Sequence, residues 1–395
     1  MSDAPLQPRL APPPMDWLLL LVLLVLPAAG AVMVYSASAI QASRQLGDEF
    51  HFLKRQGVAF AVGLVLLVAA LRMGYRRLAA WAYPLLAFSF ITLILVLVPG
   101  IGRVAGGARR WINLGVVNFQ PAELAKVVLV LYLAHSLSRK REKVKLFSIG
   151  FLPHLLVTGG MVVLCLAEKD MGTGVIMLLV LFTMLFAAGA RVSYLVGAVV
   201  VAIPIGWKLV TGTKYRMDRW MAYLDPWGHR DGAGFQLVES LLGIGNGGWL
   251  GQGLGQGKGK LFYLPAAHTD FIAAVIAEEA GLLGIAVLLL LYAVVVWRGL
   301  RASLRAAEPF GAYVALGLTT LLGSQALLNL AVVFGLLPTK GLTLPFVSYG
   351  GSSLMTLLGA AGILLSVSGD RGGFLREGVQ AVRVAAPRGA AEAAP

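Results

Sequence analysis

Apolar and polar residues alternate along the chain in long blocks, with ten apolar runs separated by polar segments. The runs fall at about 16–38, 56–71, 80–98, 121–138, 149–167, 172–190, 193–210, 271–297, 311–335 and 346–368. A helix needs roughly 17–25 residues to cross a bilayer, so the pattern predicts ten transmembrane helices. Most connections are short. The exception, about 211–270, joins the seventh run to the eighth. Ala37-Ser38-Ala39 at the end of the first run resembles a signal-peptidase site. That run is too long for a signal peptide and nine more follow, so it reads as an uncleaved anchor. Residues 1–15, with Pro12, Pro13 and Pro14, read as a disordered tail and 369–395 as a second tail. No internal repeat is visible.

Composition agrees. Of 395 residues 58% are hydrophobic and only 13% charged, against roughly 25% charged in a soluble domain; the mean hydropathy is +0.80. The fold class is therefore an all-α polytopic membrane protein. Cys165 is the only cysteine, which excludes an internal disulfide and dithiol redox chemistry. The 33 Lys and Arg outweigh 19 Asp and Glu, a net charge of +14. In a membrane protein this excess bears on orientation and anionic ligands, and not on nucleic acid. Arg72, Arg76 and Arg77, the cluster Arg139–Lys145, Arg298, Arg301 and Arg305, and Arg371 to Arg388 all fall on one side if both termini are cytoplasmic. The long segment 211–270 is then periplasmic, and the protein belongs to the cytoplasmic (inner) membrane.

Polar residues are costly among spans, so their positions carry information. They gather at the outer face. Gly106-Gly107-Ala108-Arg109-Arg110-Trp111 follows the third run, and Gln120-Pro121-Ala122-Glu123-Leu124-Ala125-Lys126 opens the fourth. Glu123 and Lys126, three apart, share a helix face; they form either a local ion pair or a polar cavity wall with Arg109 or Arg110 at its mouth. The long segment carries Lys214, Arg216 and Arg219, Asp225-Pro226-Trp227, a glycine run from Gly243 to Gly259, and His268-Thr269-Asp270. The glycine run lacks a flanking strand and a Gly-Lys-Ser/Thr ending, so it reads as loop backbone packed on the bundle and not as a nucleotide site. Asp270 begins the eighth run. It, or Thr269, either caps that helix or serves as a base at the lipid–water boundary. Glu278 and Glu279 lie two turns deeper, at least one facing the interior. Glu168, Lys169 and Asp170 fill the short fifth connection, Gln325 and Asn329 share a face of the ninth run, Lys340 precedes the last, and Ser352 lies near its outer end. Zincin, Walker, GxSxG and CxxC patterns are absent, and the five histidines form no metal-ligand pattern.

These strings resemble the SEDS family (shape, elongation, division and sporulation) from about Tyr35 to Ser353. The likeness runs through FLKRQ at 52–56, GARRW at 107–111, QPAELAK at 120–126, KDMGT at 169–173, LDPW at 224–227, AHTDF at 267–271, AEEAGLLG at 277–284 and LPTKGLTLPFVSYGGSSL at 337–354. Asp225-Pro226-Trp227 and Pro338-Thr339-Lys340-Gly341 look like the division branch more than the elongation branch. One position departs: Ala266 stands where the family usually has Glu.

The resemblance implies an inverting peptidoglycan glycosyltransferase that polymerises lipid II (undecaprenyl-pyrophosphate disaccharide pentapeptide) at the outer membrane face of the division septum. It also implies a class B penicillin-binding protein transpeptidase (FtsI-like) and other divisome proteins as partners. Asp270 would be the catalytic base on the acceptor 4-hydroxyl. Arg109, Arg110, Lys126, Arg216 and Lys340 are candidates for the pyrophosphate, with Glu123, His268 and Ser352 also lining the substrate site. The resemblance names no cofactor; a divalent cation bridging pyrophosphate and carboxylates is compatible with it. The competing readings are a lipid II flippase, which needs charges at mid-depth and on both sides, and a non-catalytic scaffold for the transpeptidase.

Overall fold

The computed structural model describes residues 15–105, 107–113, 115, 118–257 and 267–369. Most of both expected tails, the end of the glycine run and Ala266 lie outside them. Ten helices correspond to the ten apolar runs: α1 Trp17–Leu46, α2 His51–Met73, α3 Tyr75–Leu97, α4 Pro121–Lys140, α5 Leu152–Ala167, α6 Met171–Ala187, α7 Val192–Thr211, α10 Ile272–Arg305, α11 Pro309–Val333 and α12 Gly351–Ser368. Between α7 and α10 lie α8 Lys214–Leu224 and α9 Phe235–Gly247. Among the described residues nine helices are long and apolar enough to cross a membrane, α5 because a π-helical turn at Phe147–Phe151 extends it to Phe147–Ala167; α6, with 17 residues, is apolar but shorter. At 1.5 Å per residue α6 spans about 25 Å, short of a hydrocarbon core of about 30 Å.

Three features depart from the pattern of runs. A three-stranded antiparallel sheet in the order β1 Gly102–Ala105, β2 Ala108–Asn113 and β3 Asn118–Phe119 joins α3 to α4. The expected long polar segment contains two helices. And α10 is broken at Gly281, whose φ of 66° and ψ of −164° are open essentially to glycine alone.

The break is filled by the chain after α9. Gln252 and Gly253 donate their N–H groups to the carbonyls of Glu278 and Glu279, both at 3.0 Å, while Leu282 and Leu283 donate to Gly248 and Trp249 at 2.9 and 3.1 Å. Four backbone groups freed by the break thus find partners in the loop, as burial in apolar surroundings requires. The fit is tight: a Cβ on Gly281 would stand 2.3 Å from the Gly251 nitrogen, and one on Gly251 2.2 Å from the Glu279 oxygen. So the glycine run packs on the bundle, as its composition suggested. Glu278 and Glu279 are both buried, and Ser36 of α1 donates to Glu279.

α4 and α11 form the interior, flanked by α3, α6 and α10, with α2 packed along α12. On α4 even charged residues are inside, and Lys126 is 1% exposed. α7 lies at the other extreme, with no buried residue. An apolar helix with no buried face is stable only where its surroundings are themselves apolar.

Candidate active site

The site is built where three irregular segments meet at one end of the bundle: the residues before α10, the α5–α6 connection with β2, and the stretch between α11 and α12. Asp270 lies in a turn ahead of α10, whose N-cap is Phe271 without a side-chain cap. Neither Thr269 nor Asp270 caps this helix, so the carboxylate is left to other work. Its segment is stitched at each residue to α11 or to the stretch that follows it. The His268 carbonyl accepts from Tyr349 N–H at 2.9 Å, the Thr269 carbonyl from Ser348 Oγ at 2.5 Å, and the Asp270 carbonyl from Asn329 Nδ2 at 2.8 Å.

A Cβ on Gly341 would stand 3.1 Å from Asp270 Oδ2 and 3.9 Å from Arg110 Nη1. Carboxylate and guanidinium therefore converge on one glycine that leaves the space between them open. Arg110 is held there by the α5–α6 connection: Nε donates to the Glu168 carbonyl at 3.0 Å and Nη2 to that of Lys169. Lys169 adopts φ 61° and returns a bond from Nζ to the Gly107 carbonyl at 2.8 Å, so turn and connection clasp each other. Successive strand residues point to opposite faces, and the neighbouring Arg109 accordingly turns to the Leu97 carbonyl at 3.4 Å.

Arg219 and Asp170 act on this pair electrostatically, and Lys340 is next to Gly341 in the chain. Arg219 of α8 donates to the Thr339 carbonyl at 3.1 Å, two residues from Gly341. Asp170 caps α6, accepting from Thr173 N–H at 3.1 Å and Thr173 Oγ1 at 2.8 Å. Lys340 is partly buried, which lowers its ammonium below the usual lysine range. Burial raises Asp270 from 3.8 to about 6, against the pull of Arg110 and Arg219 and with a push from Asp170. Burial likewise raises Glu168, helped by Asp170 and opposed by Arg110, to about 8; its carboxyl oxygens have no hydrogen-bond partner, so it is mostly protonated at neutral pH.

The other expected site residues lie elsewhere. Arg216 donates to the Leu209 carbonyl at 3.0 Å, closing the end of α7, and Arg219, one turn on, is the α8 cation whose charge acts on Asp270. Glu123 and Lys126 form an ion pair of 2.9 Å inside the bundle, with Lys126 Nζ also 2.7 Å from Gln325 Oε1. Ser352 Oγ accepts the Gln120 N–H at 3.0 Å. The His268 ring lies 4.6 Å from Phe52 and 5.6 Å from Tyr349, and burial lowers its pKa to about 4, which keeps it neutral. Among the described residues no three His, Cys, Asp or Glu side chains gather to hold a metal ion.

A family model described as cell cycle protein, FtsW/RodA/SpoVE, matches residues 16–372. The chain belongs to the FtsW/RodA/SpoVE family. Among curated members it is 49% identical over 353 residues to the "Probable peptidoglycan glycosyltransferase FtsW" of Geobacter sulfurreducens, covering 89% of this chain and 95% of that one. It is 40% identical to the "Stage V sporulation protein E" of Bacillus subtilis, covering 89% and 96%. A chain solved under "Structural coordination of polymerization and crosslinking by a peptidoglycan synthase complex" superposes with a TM-score of 0.75 at 33% identity, covering 90% of this chain and 97% of that chain. The RodA crystal structure from Thermus thermophilus gives a TM-score of 0.67 at 33% identity, covering 90% and 97%. Like the rest of the FtsW/RodA/SpoVE family, this is a multi-pass helical membrane protein.

Proposed function

We propose that the protein is a peptidoglycan glycosyltransferase that polymerises lipid II during division, with Asp270 as its general base. One observation carries this reading: Asp270 Oδ2 and Arg110 Nη1 both lie within 4 Å of one point beside Gly341, with the charge of Arg219 also acting on Asp270. The names of the relatives support the reaction class.

In this mechanism Asp270 takes the proton of the acceptor GlcNAc 4-hydroxyl, and that oxygen bonds to C1 of the donor MurNAc. The bond from C1 to the pyrophosphate breaks with inversion, and undecaprenyl pyrophosphate departs with the electron pair. A positioned base contributes typically 10²–10⁴-fold. The leaving group is already anionic, so it needs cations more than an acid. Arg110 and Arg219 offer planar donors for phosphate oxygens, and Lys340 a point charge. A carboxyl raised to about 6 is still mostly ionised at pH 7 and is a stronger base than an exposed aspartate. Substrate tails in the outer leaflet require the site to lie at the headgroup level, with both termini cytoplasmic and α8, α9 and the glycine run on the periplasmic side. A flippase would use charges at mid-depth; Glu123 and Lys126 are instead paired to each other and to Gln325. The partner is a class B penicillin-binding transpeptidase, which would crosslink the strands as they emerge at the septum.

The test supplies the purified protein, with and without that transpeptidase, with labelled lipid II and reads glycan ladders on a gel. Ladders that resist moenomycin and vanish in D270N support the proposal. Ladders of unchanged rate in D270N overturn the base.

A further inference from the structure

The segment between α7 and α10 contains a stretch that the chemistry above leaves unused. No charged residue stands between Glu239 and Lys258, although charges are frequent on either side. Within it Trp249 and Leu250 are 79% and 78% exposed, a poor fit to a loop that projects into water.

Backbone bonds fix where these two residues sit. The Gly248 and Trp249 carbonyls accept from Leu282 and Leu283 of α10 at 2.9 and 3.1 Å. Gln252 and Gly253 donate back to α10, and Gly251 N–H closes on the Gly247 carbonyl at 2.8 Å. Leu282 and Leu283 are themselves 50% and 57% exposed on a helix long and apolar enough to span a membrane. Trp249 and Leu250 therefore continue the apolar outer surface of α10, and the loop spends its backbone bonds on the helix, as an apolar setting requires.

Two helices give the depth. Trp17 and Trp297 are 67% and 54% exposed, and Asp16 and Arg298 beside them are joined at 2.6 Å. Exposed tryptophans gather at membrane boundaries, so this pair marks one of them. At about 1.5 Å per residue, α10 rises about 24 Å from Gly281 to Trp297. By the same measure α1 rises about 28 Å from Trp17 to Ser36, whose hydroxyl donates to Glu279 at 2.7 Å. Both rises approach the hydrocarbon thickness of about 30 Å. The break in α10 and the loop that fills it thus lie at the opposite boundary.

We propose that Trp249 and Leu250 form a membrane anchor, inserted among the headgroups and upper acyl chains of the leaflet on the α8–α9 side, that holds the loop in the break of α10. The occupant of this surface is lipid. An indole suits such a boundary, with an apolar body for acyl chains and an N–H for headgroup oxygens. The anchor is independent of the reaction proposed above.

The full chain carrying L250C labelled with a nitroxide, in phosphatidylcholine vesicles, tests the depth by collision with oxygen, which concentrates in the bilayer, and with a nickel chelate, which stays in water. Cys165 is buried, and wild type treated with the same label is the blank. E49C, in the exposed turn between α1 and α2, gives the water reference, and L290C, midway along α10, the deep one. L250C should favour oxygen over nickel and lie between the two references, about 5–10 Å into the boundary between headgroups and acyl chains. Adding the class B transpeptidase should leave both collision rates unchanged. If L250C disturbs the loop, the native indole gives a second reading: lipids brominated near the headgroup should quench wild-type emission more strongly than that of W249F. Nickel access equal to that of E49C, or exclusion of both reagents by protein packed over the loop, overturns the proposal. So does loss of oxygen access when the transpeptidase is added, which would make the surface a seat for its helix, or equal quenching of wild type and W249F.

Discussion

Asn329 Nδ2 donates to two carbonyls at once, that of Asp270 at 2.8 Å and that of Leu342 at 2.6 Å. One amide on α11 thereby sets the distance between the segment bearing the candidate base and the segment bearing Lys340 and Gly341. Asn329 touches no reacting atom in the mechanism proposed above, so it is a positioning residue. N329A should lower kcat for lipid II polymerisation by about ten-fold or more, since small displacements of reacting groups are costly, while leaving the pH at which activity falls unchanged. A shifted pH profile would indicate instead that Asn329 acts on the charge of Asp270.

Gly341 offers the complementary experiment. A methyl there would sit 3.1 Å from Asp270 Oδ2, close enough to force a shift of a few tenths of an ångström, but Gly341 itself is exposed. G341A should melt within about 2 °C of wild type, because exposed substitutions seldom exceed about 0.5 kcal/mol. G341V should fill the gap between Asp270 and Arg110 and abolish glycan ladders while the protein still inserts. Ladders of normal rate in G341V would show that substrate does not use this gap.

The raised pKa of Asp270 has consequences of two signs. A general base must be ionised, so activity should fall as pH drops through about 6, reaching about one-tenth of its plateau at pH 5. R110Q removes the largest opposing cation, so the same inflection should move above that value as well as the rate falling. Stability runs the other way. A carboxyl whose folded pKa exceeds its unfolded one binds its proton more tightly when folded, so the protein loses stability as pH rises from about 4 to 6. D270N escapes that loss. It should be inactive yet melt higher than wild type at pH 8, with the difference closing by pH 4, and calorimetry at the two pH values checks this.

The apolar runs located α1–α7 and α10–α12, nine of them long and apolar enough to cross a membrane, because burying backbone in lipid or in protein demands continuous apolar stretches whatever the tertiary arrangement; they missed α8 and α9. The ends were less legible. α1 runs on to Leu46 through Ser36, Ser38 and Ser43 because a helix can continue past the point where its residues turn polar. The break at Gly281 was invisible, since Gly-Leu-Leu-Gly is ordinary within a membrane helix and only the loop from Gly248 to Gly253 makes a break affordable. Asp270 was legible from its place at a span boundary. Its cations were half legible: choosing Arg110 over Arg109 requires knowing that the pair lies on a strand, and choosing Arg219 over Arg216 requires the roll of α8, which packing decides. Thr269 and Asp270 looked like caps because that is what such residues do before helices, but the chain bends one residue later and leaves Phe271 in that position.

The broken helix should be measurable as such. Gly281 pairs a backbone conformation costing about 1–3 kcal/mol for other residues with Gly251 N–H only 2.3 Å from its missing Cβ. G281A therefore has two ways to relieve strain, straightening α10 or pushing the loop away, and both strip the bonds from Gln252 and Gly253 to Glu278 and Glu279. Amide exchange across Gly248–Gly253 should accelerate sharply and the melting temperature should fall.

The interior ion pair distinguishes a structural from a substrate-facing role for Glu123 and Lys126. Lys126 is 1% exposed and shares its ammonium between Glu123 and Gln325, so removing either charge leaves the other uncompensated in the bundle. By the behaviour of buried pairs elsewhere, E123Q or K126M should each cost about 3–5 kcal/mol, whereas replacing both together with residues of similar volume should recover most of that. A double-mutant cycle on thermal unfolding in detergent measures the coupling. Two singles that add without coupling would mean the pair is not closed in the folded protein, and that Lys126 faces a cavity open to substrate after all.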